Sequence, residues 1–230
     1  MQLIFPGGKS KMKLLKRGAE AELYLIDWFG YKAIKKIRIA KSCRVKVLDE
    51  YLRSYRTLNE AKLLINVKKV GVPVPTVFDV NINEYSITME FIDGILLRDL
   101  LFKLNIMKIK ELFTIIGTTV GKMHSNGFFH GDLTTSNIIV VDDSIFLIDF
   151  GLGGFSREIE VLGVDIHLML RALESTHHEI STQCFEYFKD GYARHFYRYK
   201  EVFNKVGEIR KRGRYVIERR IKGLQNSIHF

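Results

Sequence analysis

The string His130-Gly-Asp-Leu-Thr-Thr-Ser-Asn137, followed by Leu147-Ile-Asp-Phe-Gly151, holds the residue types that phosphoryl transfer from a magnesium-bound nucleotide requires. Such a reaction needs oxygen ligands for Mg2+, one carboxylate beside the attacking oxygen, and little covalent chemistry from the protein. Asp132 is placed to orient the acceptor, Asn137 to hold magnesium, and Asp149 to hold magnesium between the β- and γ-phosphates. Asp-Phe-Gly alone is a common turn, and an Asp near an Asn is ordinary loop chemistry. Both motifs in the required order, joined by a short hairpin that sets Asn137 beside Asp149, carry the reading.

The remaining groups must come from upstream. A strand over residues 31–38 should present a lysine to the α/β-phosphates, and the helix after Leu48 a glutamate to pair with it; Lys36 and Glu60 are the candidates. Strand alternation turns Lys35 to the other face, so period 2 leaves the choice open until the inner face is known. The plain alternative for either lysine is a surface charge on a basic hairpin. Lys16-Arg-Gly-Ala-Glu-Ala-Glu-Leu-Tyr24 has one glycine where a phosphate-covering loop usually has three. Gly18 would supply the tight turn, with the amides of Ala19, Glu20 and Ala21 near phosphate.

Positioning these groups falls to a β-rich opening and a helical remainder. Residues 12–38 alternate in strand fashion, through 22–28 and then 31–38, with Phe29-Gly30 as the turn between these two. From Leu48 to about Val67, Leu48, Leu52, Tyr55, Ala61, Leu64 and Ile65 fall mainly at helical spacings, with Asp49-Glu50 where the helix dipole favours acid. Gly71-Val-Pro-Val-Pro75 stops that helix. Strands over 76–80 and 85–91 follow, and Asp93-Gly94 closes the sheet before a leucine-rich helical segment. Leu112, Ile116, Val120 and Met123 mark a helix ending at Asn126-Gly127; two apolar runs around Asp142-Asp143-Ser144 make a hairpin; everything after Glu160 reads as helix. The expected fold is α+β and bilobal, protein-kinase-like. A β-rich N-lobe with one main helix takes residues 1–92, and a reduced helical C-lobe with the catalytic loop and a basic tail takes 93–230.

A chain of 230 residues with 47% hydrophobic content fills one domain or two small lobes, which excludes disorder as a whole. It has no uncharged apolar run long enough to cross a bilayer and no apolar run of secretory length at its start. A soluble, intracellular protein is expected, cytoplasmic and in a eukaryote also nuclear, with no membrane partner. Cys43 and Cys184 read as two reduced thiols, and the adjacent His177-His178 has no metal-ligand spacing. The net charge of +10 is unevenly placed: residues 191–230 hold eleven Lys/Arg against three Glu, and the run from Lys32 to Lys46 has no acidic residue. Two blocks of one sign suggest a polyanionic partner such as nucleic acid, the plainer alternative being a solvated face.

Together with Gly18-Ala-Glu-Ala21, Ile34-Lys-Lys36, Lys41, Arg44, Leu48-Asp49, Arg53, Arg56-Thr57, Glu60-Ala61, Met89-Glu90, Gly94, Val164-Asp165, Ser175-Thr-His177 and Arg212-Gly-Arg214, these motifs give the chain its likeness to a known family. It resembles, over most of its length, the small atypical kinase/ATPase of the KEOPS complex, the bud-site-selection or p53-related protein kinase family. The resemblance implies ATP and Mg2+ as cofactors, with Gly18, Ala19, Glu20, Ala21, Lys36, Glu60, Met89, Glu90 and Ile92 around the nucleotide, Asp132 catalytic, and Asn137 and Asp149 on the metal. Also implied are ATP-dependent support of threonylcarbamoyl modification of tRNA adenosine 37, docking onto the threonylcarbamoyl-transferase subunit and other KEOPS-type subunits, and tRNA contact through the complex and the basic tail. Aligned on Arg44 and Leu48-Asp49, it favours Lys36 over Lys35. The chain departs from the family pattern at Cys43, where Tyr is usual, at Lys46, where Pro is usual, and at Glu160-Val-Leu-Gly163, where Glu-Asp-Lys precedes the Val-Asp pair.

Fifteen residues separate Asp149 from Asp165, no Ala-Pro-Glu follows, and the chain stops short of a full peptide-docking subdomain, so a conventional peptide substrate is not expected. Asp165 reads as a brace of the catalytic loop. The preferred function is an ATPase-like partner enzyme in tRNA modification with weak serine autophosphorylation. The alternatives are a conventional Ser/Thr kinase, a small-molecule phosphotransferase sharing the short His-Gly-Asp loop, and a nucleotide-sensing scaffold without turnover.

Overall fold

Alternation along the first strands builds an antiparallel sheet whose inner face carries the charged residues of interest. The computed structural model describes residues 12–226, with side chains up to Arg212. β1 (Lys13–Arg17), β2 (Ala21–Trp28) and β3 (Tyr31–Arg38) are consecutive neighbours, and the β2–β3 turn has Phe29 and Gly30 both at positive φ, 51° and 87°. That is the type I′ geometry whose twist matches the flanking strands. β4 (Val77–Asn81) and β5 (Ser86–Glu90) complete the five-stranded order β1-β2-β3-β5-β4.

Between β3 and β4 runs α1 (Lys46–Lys69), two residues longer at each end than the apolar spacing predicts. Its stop is a Schellman turn: Gly71 N–H donates to Lys68 O (2.9 Å) and Val72 N–H to Val67 O (3.2 Å), with Gly71 at φ 75°. Ala61, Leu64 and Val67 of this helix pack with Ile87 and Met89 of β5 in one core. The same inward face carries Glu60 and Asp49, both buried.

Past β5 the chain enters a helical half. The leucine-rich segment predicted as helix is instead β6 (Ile95–Leu96), a single turn α2 (Leu97–Leu100) and a 3-10 turn at residues 101–103. Ile95 and Leu96 are held by pairing with Val140 and Ile139, which takes their backbone out of a helix, and buried Leu97 and Leu101 pin the short turns that follow. α3 (Ile106–Ser125) starts under a side-chain cap from Asn105 to Lys108 N–H, 2.9 Å, and buries Phe113, Ile116, Val120 and Met123. After β7 (Phe128–Phe129), the hairpin β8 (Ile138–Val141) and β9 (Ser144–Leu147) joins β6 in a three-stranded sheet, and β10 (Gly154–Phe155) pairs with β7. The final stretch is three helices, not one run: α4 (Ile159–Thr176), α5 (His178–Ala193) and α6 (Tyr199–Asn226). α5 crosses α3 so closely that a Cβ on Gly117 would sit 2.0 Å from Phe188 O, and one on Gly191 2.0 Å from Thr114 O. α6 is strapped to α4 by ion pairs from Lys205 and Arg212 to Glu160 and from Arg210 to Glu174. The side chain of Arg214 and residues 227–230 of the basic tail lie outside the described residues. No helix among the described residues is long and apolar enough to cross a membrane.

Candidate nucleotide and metal site

Lys36 and Arg38, two apart on β3, point to the same side of the sheet, and each is only 6% exposed. Lys36 Nζ lies 2.7 Å from Glu60 Oε1 on α1 and 2.7 Å from Asp149 Oδ1. Lys35 points to the opposite face and pairs at the surface with Glu84. Burial by itself would push the Lys36 ammonium down, but the Glu60 and Asp149 carboxylates outweigh it and hold its pKa above the usual lysine value. Burial likewise pushes the Asp149 carboxyl up; the Lys36 ammonium and the Gly151 N–H overcome this and hold it below the usual carboxylate range. Lys36→Ala is accordingly expected to weaken nucleotide binding at least tenfold, about 1.4 kcal/mol, and Lys35→Ala less than twofold. Titration with a fluorescent nucleotide checks this; a reversed order would put the phosphates on the other face of β3.

The loop bearing Asp132 is fixed from below. Buried Asp165 on α4 accepts the backbone N–H groups of His130 and Gly131, both at 2.8 Å, and its Oδ2 lies 3.1 Å from His124 Nε2. His124 in turn contacts Tyr192 Oη at 2.9 Å, so a polar chain runs from α5 to the loop. Gly131 has φ 79°, and a Cβ there would stand 2.1 Å from Leu152 O; only glycine lets the loop pass this close to the segment after Asp149. Asn137 Nδ2 donates to Asp132 O (2.9 Å) and to Asp132 Oδ2 (2.8 Å), and Ile148 N–H donates to Asn137 O at 3.0 Å. The β8–β9 register, Ile138 against Leu147, therefore brings Asn137 alongside the residues preceding Asp149. Asp149 itself sits at φ 64°, a left-handed conformation that non-glycine residues adopt at a cost and that recurs at functional sites.

These groups surround two adjoining cavities that share Lys16, Leu23, Lys36 and Asp149. One, of about 300 Å3, is lined by Gly18, Ala19, Glu20 and Ala21 together with Arg38, Asp132 and Gly151. The other, of about 290 Å3, is more apolar and is lined by Met89, Glu90, Ile92 and Ile148, with Glu60 and Asn137. Every site residue expected from the sequence thus faces one cavity or the other. In the loop between β1 and β2, Gly18 N–H donates to Ala21 O at 2.9 Å. The turn does not use a positive φ at Gly18; a Cβ there would meet Ala21 O at 3.2 Å, so the glycine supplies room. The Glu20 carboxylate turns to Lys41 (3.1 Å) and Arg56 (2.5 Å), and that of Glu90 to Thr76 N–H (3.0 Å) and Oγ1 (2.7 Å). The carboxylates of residues 20 and 90 are thus engaged within the protein while both residues line the cavities.

Sequence reasoning missed Arg38, whose Nη2 donates to Glu60 Oε2 at 2.5 Å. Its signal was parity: two residues beyond Lys36 on a strand means the same face.

The family model for the RIO domain matches residues 21–184, which contain Lys36, Glu60, Asp132, Asn137 and Asp149. The chain belongs to the RIO-domain family. Within it, this RIO-domain chain is 43% identical to the KEOPS complex subunit Bud32 of Pyrococcus abyssi over 89% of its own length and 96% of that protein's. It is 40% identical, over 88% of its length, to a probable bifunctional tRNA threonylcarbamoyladenosine biosynthesis protein of Methanothermobacter thermautotrophicus, of which it spans only 36%. In structure it is similar to the Rio2 kinase of Chaetomium thermophilum, solved as an ADP/Mg2+-phosphoaspartate complex: TM-score 0.60, 15% identity, 85% of this chain and 70% of that one. The β-sheet lobe over a helical lobe is therefore the kinase-like fold.

Proposed function

We propose that this chain binds Mg-ATP in the two cavities and hydrolyses or transfers its terminal phosphate in support of threonylcarbamoyl modification of tRNA adenosine 37, as a subunit of a KEOPS-type complex. The observation that carries this is the convergence of Lys36, Glu60 and Asp149, with the Asp132–Asn137 pair beside them, in a chain that spans 96% of a KEOPS Bud32 subunit. The apolar cavity along Met89, Glu90 and Ile92 suits the base, and residues 18–21 suit the phosphates.

The donor set fits magnesium. Asn137 spends its amide N–H groups on Asp132, which leaves its Oδ1 to coordinate, and Asp149 adds one carboxylate. Mg2+ is held this way in nucleotide sites, by one or two protein oxygens with phosphate and water completing the shell, and no cluster of three or more His, Cys, Asp or Glu is present among the described residues. Bound there, the ion would neutralise charge on the phosphates. Lys36 would give up part of its bond to Asp149 for the α/β-phosphates while Glu60 keeps its ammonium in place. Asp132, fixed by Asn137 and by Asp165 beneath the loop, would orient the acceptor. α4 starts at Ile159, so little chain follows Asp149 on which an extended peptide could lie, and water is the favoured acceptor.

Two surfaces support the partner reading. The outer face of α1 exposes Val47, Leu48, Tyr51, Tyr55 and Leu58 at helical spacings, with the Tyr51 and Tyr55 rings stacked 6.2 Å apart. A stripe of this size suits a protein subunit. The basic residues of α6 suit tRNA phosphates.

Reconstitution of the modification from purified KEOPS-type subunits, tRNA and ATP tests the proposal. Parent protein is expected to support it and Asp132→Ala to reduce it at least a hundredfold, the lower range for a positioned acid–base group. Equal support by Asp132→Ala would favour the scaffold reading.

A further inference from the structure

Arg38 lines the same cavity as Asp132, Asp149 and residues 18–21, and is absent from the apolar cavity along Met89, Glu90 and Ile92. With Lys36 it divides Glu60: Oε1 accepts from the lysine and Oε2 from Arg38 Nη2. One carboxylate thereby faces two buried cations, a charge excess that Asp149 offsets through Lys36 alone. Nη2 also donates to Arg56 O at 3.5 Å, and among the described residues this guanidinium makes no other hydrogen bond. A guanidinium carries five N–H donors in a planar fork. Nη1 points the same way as Nη2: it lies 3.7 Å from where a Cβ on Gly151, a residue of the cavity lining, would stand. A Cβ on Gly151 would stand 2.9 Å from Arg38 Nη2 and 3.2 Å from Asp149 Oδ1. Glycine at 151 thus keeps clear the space between the guanidinium and the metal-directed carboxylate.

We propose that Arg38 is a second phosphate-binding cation of this site, holding Glu60 with one edge of its guanidinium and the terminal phosphoryl group of ATP with the other. The inference rests on the Mg-ATP reading above. The terminal group is assigned because Arg38 shares its cavity with Asp132, the acceptor-orienting carboxylate, and neither lines the apolar cavity along Met89, Glu90 and Ile92 where the base would lie. When phosphate draws Lys36 away from Asp149, Lys36 and Arg38 are left as two cations on the one Glu60 carboxylate, and the excess positive charge is offset by the phosphate oxygens. A lysine at 38 would have one ammonium for two tasks, whereas the arginine fork does both.

The test compares Arg38→Lys with the parent by calorimetric titration of MgADP and of a magnesium complex of a non-hydrolysable ATP analogue. Arg38→Lys keeps the charge against Glu60 and is expected to melt with the parent and to bind MgADP within twofold of it. Affinity for the triphosphate analogue should fall about tenfold, the loss of one charge-assisted hydrogen bond to phosphate. Equal losses for both nucleotides, or no loss for either, would overturn the role at the terminal phosphate and leave Arg38 as a support of Glu60. If Arg38→Lys unfolds, Arg38→Gln is titrated in its place against the same two ligands and judged by the same ratio. A parent that binds neither nucleotide would overturn the Mg-ATP reading itself.

Discussion

Asp149→Asn is expected to abolish Mg-ATP turnover while the protein stays folded. Asparagine keeps the shape of the side chain and is among the few residues that tolerate the φ of 64° found here, so the backbone has no reason to move. The carboxylate at 149 is 49% exposed, and Lys36 retains Glu60 when the charge is lost, so little stability goes with it. The charge itself is what the metal needs: one of two protein oxygens that fit Mg2+ would lose its formal charge where phosphate charge has to be balanced. Turnover should fall by at least a thousandfold, about 4 kcal/mol of barrier. Steady-state phosphate release with thermal melting alongside gives the answer. Turnover within twofold of the parent would remove Asp149 from the metal.

Asp165→Ala should act in the opposite manner, costing stability first. Its carboxylate is 1% exposed and serves three groups at once, the N–H groups of His130 and Gly131 and the ring of His124. Alanine leaves two backbone donors buried without partners, at about 1–3 kcal/mol each. A loss of about 3 kcal/mol corresponds to roughly 6–12 °C in melting temperature for a chain of this size. Burial pushes the Asp165 carboxyl up, but its bond to His124 and the nearby His130 outweigh this and hold its pKa below the ordinary 3.8. A carboxylate with a depressed folded pKa contributes stability above its unfolded pKa and loses it as pH falls through the folded one. The gap between parent and variant should therefore be widest near neutrality and close below about pH 3.8. Differential melts at neutral pH and in acid check both points; a melting temperature within 2 °C of the parent at neutral pH would show that the loop holds itself.

How much of this was legible from the residues alone differs by element. The β2–β3 and β8–β9 hairpins were legible because their turns and flanking apolar runs are local, and with them the proximity of Asn137 to the strand before Asp149. Lys35 and Lys36 were not separable by period alone, because alternation fixes relative faces and only the docking of α1 says which face is inside. The same docking decides that Arg38 meets Glu60 and that Glu20 meets Lys41 and Arg56; these pairs are 22, 21 and 36 residues apart and no local pattern joins them. The segment after Gly94 was misread for a related reason. Its leucines suit a helix, but pairing of Ile95 and Leu96 with β8, more than forty residues on, takes the backbone first.

Release of labelled phosphate from Mg-ATP, followed together with transfer to a model peptide in the proposed complex with KEOPS-type subunits and tRNA, separates hydrolysis from protein phosphorylation in one experiment. The isolated chain should autophosphorylate slowly and transfer poorly to peptides, because the segment from Asp149 to the start of α4 at Ile159 gives an extended peptide nowhere to dock. Adding partners and tRNA should raise phosphate release several-fold, a barrier change of roughly 1 kcal/mol or more, with peptide transfer left behind. A peptide phosphorylated faster than phosphate is released in the full complex would contradict the ATPase reading and make the chain a protein kinase.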